Sequence, residues 1–217
     1  MDYKKIYTEN YFSGKDSFFY SLGYGNFQKT HFKNLFRSLK PYLKEITQVK
    51  ILDVGCAYGF MLQKFPDSFD KFGVDISEHA IAEAKKRLPN ATLKVAGAED
   101  PLPFPENFFD IVICNDVIEH LENPRIALEN IRRVLKKDGI LYLNMPNLNW
   151  LRKKVFAYAD KKEHHISLLS HKTLFNLLTE IGFNIIDHYT YTSITFFFFT
   201  KFHSNLGHEQ AFICKKS

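Results

Sequence analysis

Short apolar runs alternate with amphipathic segments along most of the chain after residue 49. The apolar runs predict buried strands at residues 50–54, 71–75, 92–96, 110–114, 140–144, 183–190 and 208–215. The segments between them predict helices from a glycine-containing turn to about Phe65, and at 78–88, 124–135 and 171–181. We expect Ser77 to cap the second of these helices, Gly139 to terminate the third and Gly182 to terminate the fourth. Strands that alternate with helices are typical of a mostly parallel sheet covered by crossover helices.

Two segments do not follow this alternation. Residues 1–43 are rich in Tyr, Phe, Gly and Lys and include a helical pattern at 28–43, which predicts an aromatic N-terminal cap or lid. Residues 145–170 form a long polar excursion, and we expect this insertion to lie over the strand ends. The predicted domain organisation is a cap at 1–43 and one α/β domain at 44–217 that carries the insertion.

The composition is that of an ordinary globular protein. Of the 217 residues, 45% are hydrophobic and 24% are charged, which is enough for one α/β domain with a packed core. The net charge is +5, but the basic residues occur as scattered pairs, so we expect solvated helix faces and no nucleic-acid partner. The 22 Phe and 11 Tyr predict a thick core or an apolar pocket.

The cysteines and the N-terminal residues give expectations about the compartment. Cys56, Cys114 and Cys214 are far apart and odd in number, so we expect neither a disulfide framework nor a zinc site, and no metal. The polar, aromatic start lacks the features of a signal peptide, and no apolar run approaches transmembrane length. These features favour a cytoplasmic protein without stable membrane insertion. The oligomeric state is not predictable from the sequence.

A glycine-containing segment, DVGCAYG at 53–59, follows the first predicted strand. Its small residues would let a ligand approach the backbone. The glycines lie four residues apart and an acid precedes them, so the segment is not the G-x-G-x-x-G motif of dinucleotide-binding proteins, and the acid would repel a pyrophosphate. The segment therefore suits a ligand with cationic groups, whose carboxylate can bind backbone N–H groups.

Asp75 closes the second predicted strand, 22 residues after Asp53. An acid at this place in an open α/β sheet accepts hydrogen bonds from ribose hydroxyls. An Asp at a strand end is as often a helix cap or a turn residue. The combination of Asp75 with the preceding turn favours a nucleoside ligand.

Five motifs follow one another in the order found in a known family. They are ILDVGCAYG at 51–59, GVDIS at 73–77, AEDPLPF at 98–104, FDIV at 109–112 and VLKKDGIL at 134–141. They resemble the motifs of class I S-adenosylmethionine-dependent methyltransferases, and most closely the branch that includes quinone-biosynthesis and small-molecule O-methyltransferases. The resemblance covers about residues 51–144. It implies a Rossmann-like, doubly wound sheet of seven mostly parallel strands with the last strand antiparallel.

The resemblance also implies a cofactor, S-adenosyl-L-methionine, with S-adenosyl-L-homocysteine as its product. The ammonium and sulfonium groups of this cofactor suit an acidic turn. The resemblance assigns Asp53, Gly55 and Ala57 to the methionine end, Asp75 to the ribose and Ile76 to packing on the adenine. The other implied cofactor-binding positions are Cys56, Gly59, Ala98, Glu99 and Asn115. Ala57 stands where the family often has Gly, and Gly97 stands where Asp is common.

Histidines near the strand ends are the candidates for proton transfer. His120 follows the fourth predicted strand, and His164 and His165 lie in the insertion. A positioned imidazole can remove the proton of an attacking hydroxyl, but His120 can equally order the pocket, and the other two can equally be solvated. Tyr11 and Tyr24 are candidates for substrate contacts, with packing in the cap or surface exposure as the alternative.

The function predicted from these observations is methyl transfer to a small-molecule acceptor, at oxygen. One alternative is a nucleotide-dependent oxidoreductase or nucleoside-handling enzyme, which the missing phosphate-binding glycine pattern disfavours. A second is a non-catalytic module that binds the same cofactor. A third is a nucleic-acid methyltransferase, although an evident RNA-binding module and an Asn-Pro-Pro-Tyr-like tetrad are both missing. Residues 193–202, with the Phe run at 196–199, are expected to form a buried connection rather than an apolar lip that touches lipid.

Overall fold

One mixed sheet forms the centre of the protein. The computed structural model describes residues 6–13, 15, 32, 35–43, 48–194, 198–202 and 205–217. Within these ranges the strands are β1 (Lys50–Val54), β2 (Asp70–Asp75), β3 (Thr92–Val95), β4 (Phe109–Asn115), β5 (Leu135–Pro146), β6 (Phe183–Ile194), β7 (Phe198–Phe202) and β8 (Glu209–Lys216). Their spatial order is β3-β2-β1-β4-β5-β8-β6-β7.

The strand directions confirm the predicted sheet. Strands β1 to β5 are parallel, and β8 runs antiparallel between β5 and β6. Strand β7 is an addition at the edge, where Phe198–Phe202 pairs antiparallel with the end of β6. The expected buried connection at 193–202 is therefore wrong within the described residues, because residues 193–194 end β6 and Phe198–Phe202 forms an edge strand, while 195–197 lie outside the described ranges. The aromatic and β-branched residues of Phe198–Phe202 have high strand propensity, which explains the extra strand.

Six α-helices have both of their ends within the described ranges. They are α1 (Glu9–Phe12), α2 (Glu78–Arg87), α3 (Pro124–Val134), α4 (Trp150–Val155), α5 (Ala157–Lys162) and α6 (His171–Ile181). The Ser77 side chain accepts a hydrogen bond from the Ala80 N–H at 3.2 Å, which confirms the predicted cap of α2. Gly182 ends α6 with φ +94°, also as predicted.

The sheet buries apolar side chains on both faces. Alternate residues of β1 point to opposite sides, so Leu52 packs in the core that includes α3 and α6, whereas Ile51 packs in the core that includes α2. The second core also contains Leu35 and Leu39 from the N-terminal segment. Helices on both faces leave the carboxyl-terminal ends of the parallel strands as the open edge of the sheet.

The helix predicted after the first strand is wrong. Only a single 3-10 turn, Leu62–Lys64, is present before Phe65. The backbone of Gly55, Ala57 and Gly59 is left-handed, with φ of +77°, +43° and +75°, so an α-helix cannot start within this segment. The chain forms a series of turns instead. The backbone groups at the strand ends are therefore not used up in helical hydrogen bonds.

The third predicted helix, at 124–135, is present and ends one residue before its predicted end, but Gly139 does not terminate it. Helix α3 stops at Val134, and Leu135 already has extended backbone and pairs with Phe109 of β4. Gly139 is not the helix terminator, because it lies within β5 and the left-handed residue is Asp138, with φ +60°. Leu135, the first residue after the helix, is fully buried and packs in the core. Tertiary packing thus overrides the local terminator signal.

The two segments outside the regular alternation are partly described. Of the helix predicted at 28–43, residues 35–39 are helical and are followed by the 3-10 turn Lys40–Tyr42. The insertion contains α4 and α5. The loop after α5 is held by the backbone carbonyl of Glu119, which accepts hydrogen bonds from the Ile166 and Ser167 N–H groups, both at 2.9 Å. Across the described ranges, the helices are too short or too polar to cross a membrane.

Candidate active site

A pocket of about 270 Å³ opens at the carboxyl-terminal ends of β1, β2 and β4. This is where the strand order reverses from β1 to β4, the place at which open α/β sheets bind ligands. Its walls are mostly apolar. The described residues that line it are Tyr7, Tyr11, Phe12, Phe32, Asp53, Gly55, Cys56, Ala57, Met61, Asp75, Ile76, Ala96, Gly97, Ala98, Glu99, Asp100, Asn115, Asp116, Val117, His120 and Leu121.

The turn after β1 forms the floor of this pocket. The N–H groups of Gly55 and Cys56 both donate to the Val74 carbonyl, at 2.8 and 2.9 Å, which ties the turn to β2. A side chain at Gly55 would place its Cβ 2.2 Å from a methyl carbon of Val117, in addition to the strain of a positive φ. Only glycine therefore fits at this position, and the backbone stays accessible.

Asp75 connects the first two turns of the pocket. Its carboxylate accepts hydrogen bonds from the Ala57 N–H at 2.8 Å and from the Ser77 N–H at 2.9 Å. Burial raises the pKa of Asp75, and these backbone hydrogen bonds act in the opposite direction. Each carboxylate oxygen keeps a further lone pair, so Asp75 can also accept from a ligand hydroxyl.

Asp53 is a buried acid at the end of β1, and only 3% of it is exposed. Burial raises its pKa well above the usual range, and the nearby Asp75 carboxylate adds to this effect. Two buried carboxylates side by side are electrostatically costly, and a cationic ligand group between them would lower that cost. The acid pair therefore fits the ammonium of an amino-acid-like ligand.

The end of β4 is held by a network of polar side chains. The Asn115 amide donates to the Asp116 carboxylate at 2.8 Å, and the Asn144 amide donates to the other oxygen of Asp116 at 3.1 Å. The Tyr191 hydroxyl completes the network by donating to the Asn144 side chain at 2.8 Å. Asn115 and Asp116 both line the pocket, so β5 and β6 orient side chains that face a ligand.

Aromatic residues of α1 and its preceding turn cover the pocket. Tyr11 and Phe12 are buried, and the Phe12 ring lies 4.8 Å from the Tyr58 ring between centroids. The Tyr11 hydroxyl donates to the Glu163 carboxylate at 2.9 Å, which links the N-terminal segment to the insertion. The two segments that leave the α/β alternation thus meet over the strand ends.

His120 is one of the residues that line the pocket. Burial lowers its pKa to about 3, and the neighbouring His165 adds to this effect. The ring is therefore neutral at physiological pH and is a weak proton acceptor, which weighs against His120 as a general base. Its Nδ1 atom is buried and has no hydrogen-bond partner.

Glu119 precedes His120 in the chain and is completely buried. Neither of its carboxylate oxygens has a hydrogen-bond partner. Burial raises its pKa well above the usual range, and the Asp116 carboxylate contributes to the increase. One ligand atom each from Glu119, His120 and His165 lies within 4.8 Å of the other two. Such a cluster can hold a metal ion, which the sequence-based expectation of no metal does not anticipate.

The structure brings most of the predicted site residues together. Nine of the ten predicted cofactor-binding residues line the pocket, together with Tyr11 and His120. Gly59 does not, because it packs against Leu88 of the α2 end, where an added Cβ would lie 2.7 Å from a methyl carbon. His164 and His165 lie outside the lining, and Tyr24 lies outside the described residues.

Several lining residues are absent from the sequence-based prediction. They are Tyr7, Phe12, Phe32, Met61, Ala96, Gly97, Asp100, Asp116, Val117 and Leu121. Most are apolar or small and carry no chemical signature in the sequence. Asp116 could have been found, since it follows Asn115 at the end of a predicted strand. Its left-handed backbone, with φ +53°, is the feature that only the structure reveals.

Acidic side chains dominate the charge of the pocket. Five of the described lining residues are acids, namely Asp53, Asp75, Glu99, Asp100 and Asp116, whereas none is Lys or Arg. Glu99 is also fixed in place, because its carboxylate accepts a hydrogen bond from the Asn123 N–H at 2.6 Å. This lining favours neutral or cationic ligands over polyanions.

Comparison with known proteins connects this geometry to a family. Residues 52–143 match the family described as "Methyltransferase domain". An uncharacterized protein of Methanocaldococcus jannaschii is 31% identical over 66% of this chain and 68% of its own length. A tRNA U34 carboxymethyltransferase of Campylobacter jejuni is 31% identical over 50% of this chain and 39% of its own length.

Solved structures show the same fold. A SAM-dependent methyltransferase of Thermotoga maritima, described as a possible histamine N-methyltransferase, superposes with a TM-score of 0.70 at 20% identity, over 89% of this chain and 94% of that one. The chain belongs to the class I S-adenosylmethionine-dependent methyltransferase family. The predicted family and fold class are therefore confirmed, and membership implies use of S-adenosylmethionine.

Proposed function

We propose that this methyltransferase transfers a methyl group from S-adenosylmethionine to the oxygen of a small-molecule acceptor. The observation that carries the proposal is the pocket at the ends of β1, β2 and β4, which combines accessible backbone, two buried acids and an aromatic cover. Its volume of about 270 Å³ lies just below the usual range of ligand pockets, roughly 300–1,000 Å³. A pocket of this size takes small ligands, whereas a folded macromolecule does not enter it.

The residues present fit the nucleoside and amino-acid groups of the cofactor. Asp53 would bind the ammonium, because its buried carboxylate has no hydrogen-bond donor among the described residues. Asp75 would accept from the ribose hydroxyls while it holds the Ala57 and Ser77 N–H groups. Ile76 and Ala98 would pack on the adenine, and Glu99 would lie at its edge. When bound, the cofactor supplies the sulfonium methyl.

The chain contributes alignment and exclusion of water to the transfer. Tyr11 and Phe12 cover the pocket, and the Tyr11–Glu163 hydrogen bond holds this cover against the insertion. Positioning an acceptor in line with the sulfonium methyl is worth several orders of magnitude in rate. A hydroxyl acceptor must also lose a proton, and the lowered pKa of His120 makes this residue a poor acceptor for it.

An amine acceptor is the second candidate, since the acidic lining attracts cations. The same lining disfavours a nucleic-acid acceptor, although one relative is named as a tRNA-modifying enzyme. A phosphate backbone would meet five acids and no basic residue among the described lining residues. The insertion, which differs most from a regular α/β pattern, would select among small acceptors.

Two measurements test the proposal. Calorimetric titration with S-adenosylmethionine, S-adenosylhomocysteine and NAD is expected to show binding of the first two ligands only. Transfer of a labelled methyl group to cell extract is expected to place the label in the small-molecule fraction, and a panel of phenols and amines then separates oxygen from nitrogen acceptors. Label in the RNA fraction would refute the proposed acceptor class. Binding of NAD instead of the methyl donor would refute the proposed cofactor.

A further inference from the structure

We propose that Glu119, His120 and His165 bind a single divalent transition-metal ion at the wall of the pocket. The three side chains converge, with one ligand atom from each within 4.8 Å of the others. Two imidazole nitrogens and one carboxylate form a donor set that suits Zn²⁺, Co²⁺, Fe²⁺ or Mn²⁺. Mg²⁺ and Ca²⁺ prefer sites made only of oxygen ligands and are disfavoured here.

Unsatisfied buried atoms point to a missing partner at this place. Glu119 is 0% exposed, and neither of its carboxylate oxygens forms a hydrogen bond. The Nδ1 atom of His120 is likewise buried without a partner. Leaving a buried carboxylate without partners is costly, and native proteins rarely do so. The Glu119 carboxylate and the His120 ring form no hydrogen bond with each other. A metal ion between them would supply the missing partner to both.

The second ring nitrogen of His165 is already oriented for coordination. Its Nδ1 atom lies 2.8 Å from the Asp160 carboxylate, so Nε2 is the nitrogen left for an ion. Asp160 is in turn held by Arg152, with the Arg152 Nε atom 3.1 Å from both carboxylate oxygens. A carboxylate that fixes the tautomer and orientation of a histidine is the usual support behind a metal ligand.

The surrounding charges favour a cation. Asp116 and Glu209 both raise the pKa of Glu119 by repulsion, whereas Arg152 is the cation that acts on it in the opposite direction. Arg152 is already engaged by Asp160 and, at 3.2 Å, by Glu209, so its charge is largely neutralised. Carboxyl groups therefore outnumber cations around Glu119, and an ion bound there would displace the proton that the raised pKa of Glu119 favours.

The geometry requires only a modest adjustment. Ligand atoms around such an ion lie about 3–3.5 Å apart when each bond is about 2.1 Å. Ligand atoms that lie up to 4.8 Å apart would have to approach one another by at most about 1.3–1.8 Å, through side-chain rotations. Three protein ligands leave coordination positions open, and His120 places these next to the pocket. The further consequence, that an oxygen of the acceptor reaches the ion, rests on the proposed function, whereas ion binding itself does not.

Cobalt is the probe for the first test. The purified chain, freed of metal with a chelator, is titrated with Co²⁺ and is expected to bind one ion per chain with visible absorption bands that Zn²⁺ displaces. Glu119→Gln and His120→Ala are each expected to weaken this affinity by at least tenfold. The matched control is His79→Ala, since His79 lies outside the pocket lining and contacts Tyr58, at 2.9 Å from its hydroxyl.

A second readout keeps the test decisive if one variant fails to fold. His165→Gln removes one ligand at the edge of the cluster, and every variant is checked by circular dichroism and by titration with S-adenosylhomocysteine. Nucleoside binding without Co²⁺ uptake would overturn the metal site and leave the proposed function intact. Co²⁺ uptake that is equal in wild type, Glu119→Gln and His120→Ala would also overturn it, because the ion would then lie elsewhere.

Discussion

Replacing Asp75 with Asn or Ala tests how the pocket is held together. The Asp75 carboxylate accepts two backbone hydrogen bonds, from Ala57 and Ser77, at 2.8 and 2.9 Å. A hydrogen bond to a charged group contributes about 1.5–3 kcal/mol, so the two contribute roughly 3–6 kcal/mol. Removing the carboxylate also removes the cost of burying it, which is visible in its raised pKa. We therefore expect Asp75→Ala to lower the free energy of unfolding by about 2–4 kcal/mol.

Cofactor affinity should fall as well, because Asp75 loses its bonds to the ligand hydroxyls. A loss of about 1–3 kcal/mol corresponds to a roughly 5- to 150-fold higher dissociation constant for S-adenosylhomocysteine. Asp75→Asn keeps one acceptor oxygen and should lose less stability than Asp75→Ala. Urea denaturation gives the first quantity and calorimetry the second. The control is Asp67→Ala, since the Asp67 side chain is fully exposed.

Two results would refute this reasoning about Asp75. If Asp75→Ala unfolds at the same urea concentration as wild type, the two backbone hydrogen bonds do not hold the turns together. If the folded variant binds S-adenosylhomocysteine with unchanged affinity, Asp75 does not contact the ribose. The Asp67→Ala control should change neither quantity.

Three further predictions concern the turn, the insertion and the response to pH. Gly55→Ala should lower the melting temperature strongly and abolish binding of S-adenosylhomocysteine, because it combines a positive φ with a steric clash, at a cost of about 2–4 kcal/mol. Arg152→Leu should destabilise the chain by about 3–5 kcal/mol in urea denaturation, because it removes the buried cation that pairs with both the Asp160 and Glu209 carboxylates. Burial lowers the pKa of His171, so the unfolded chain binds this proton more readily, and stability should fall as the pH drops from about 7 to 5.

Each of these predictions has a matched control. Gly97→Ala should lower the melting temperature much less, since its backbone φ is not positive and the atom that an added Cβ would approach too closely, at 2.8 Å, is the terminal oxygen of the Asp100 side chain. Arg125→Leu removes an exposed ion pair with Glu180 and should cost less than about 1 kcal/mol. His171→Gln should make the dependence of the urea midpoint on pH less steep, and the part that remains is expected from His120, whose pKa burial lowers to about 3. An equally steep dependence in that variant would mean that other groups cause it.

The alternation of apolar strands and amphipathic helices was sufficient to predict the class of the fold. A buried strand such as Lys50–Val54 is short, apolar and bounded by a turn. Its presence can therefore be predicted from its own residues. The acids Asp53 and Asp75 could be placed together because the carboxyl ends of parallel strands meet at one edge of the sheet. Positions defined by strand ends are therefore readable from the sequence.

Features that depend on distant contacts were not predictable. Helix α3 ends at Val134 because Leu135 pairs with β4, and the local signal at Gly139 is overridden. Strand β7 exists only because β6 offers an edge to pair with. His165 and Glu119 are 46 positions apart in the sequence, and their convergence follows from the path of the insertion.

The doubly wound sheet, the family and most of the residues at the ligand-binding edge could be read from the sequence, because hydrophobic periodicity and strand-end motifs are local properties of the chain. The residues that close the pocket and the ionisable groups that share a low-dielectric interior became clear from the folded chain. Tyr11 meets Glu163 across 152 residues, and Glu119 becomes fully buried. Such encounters depend on how the whole chain packs, and a pKa or a metal site that arises from them has no local signature.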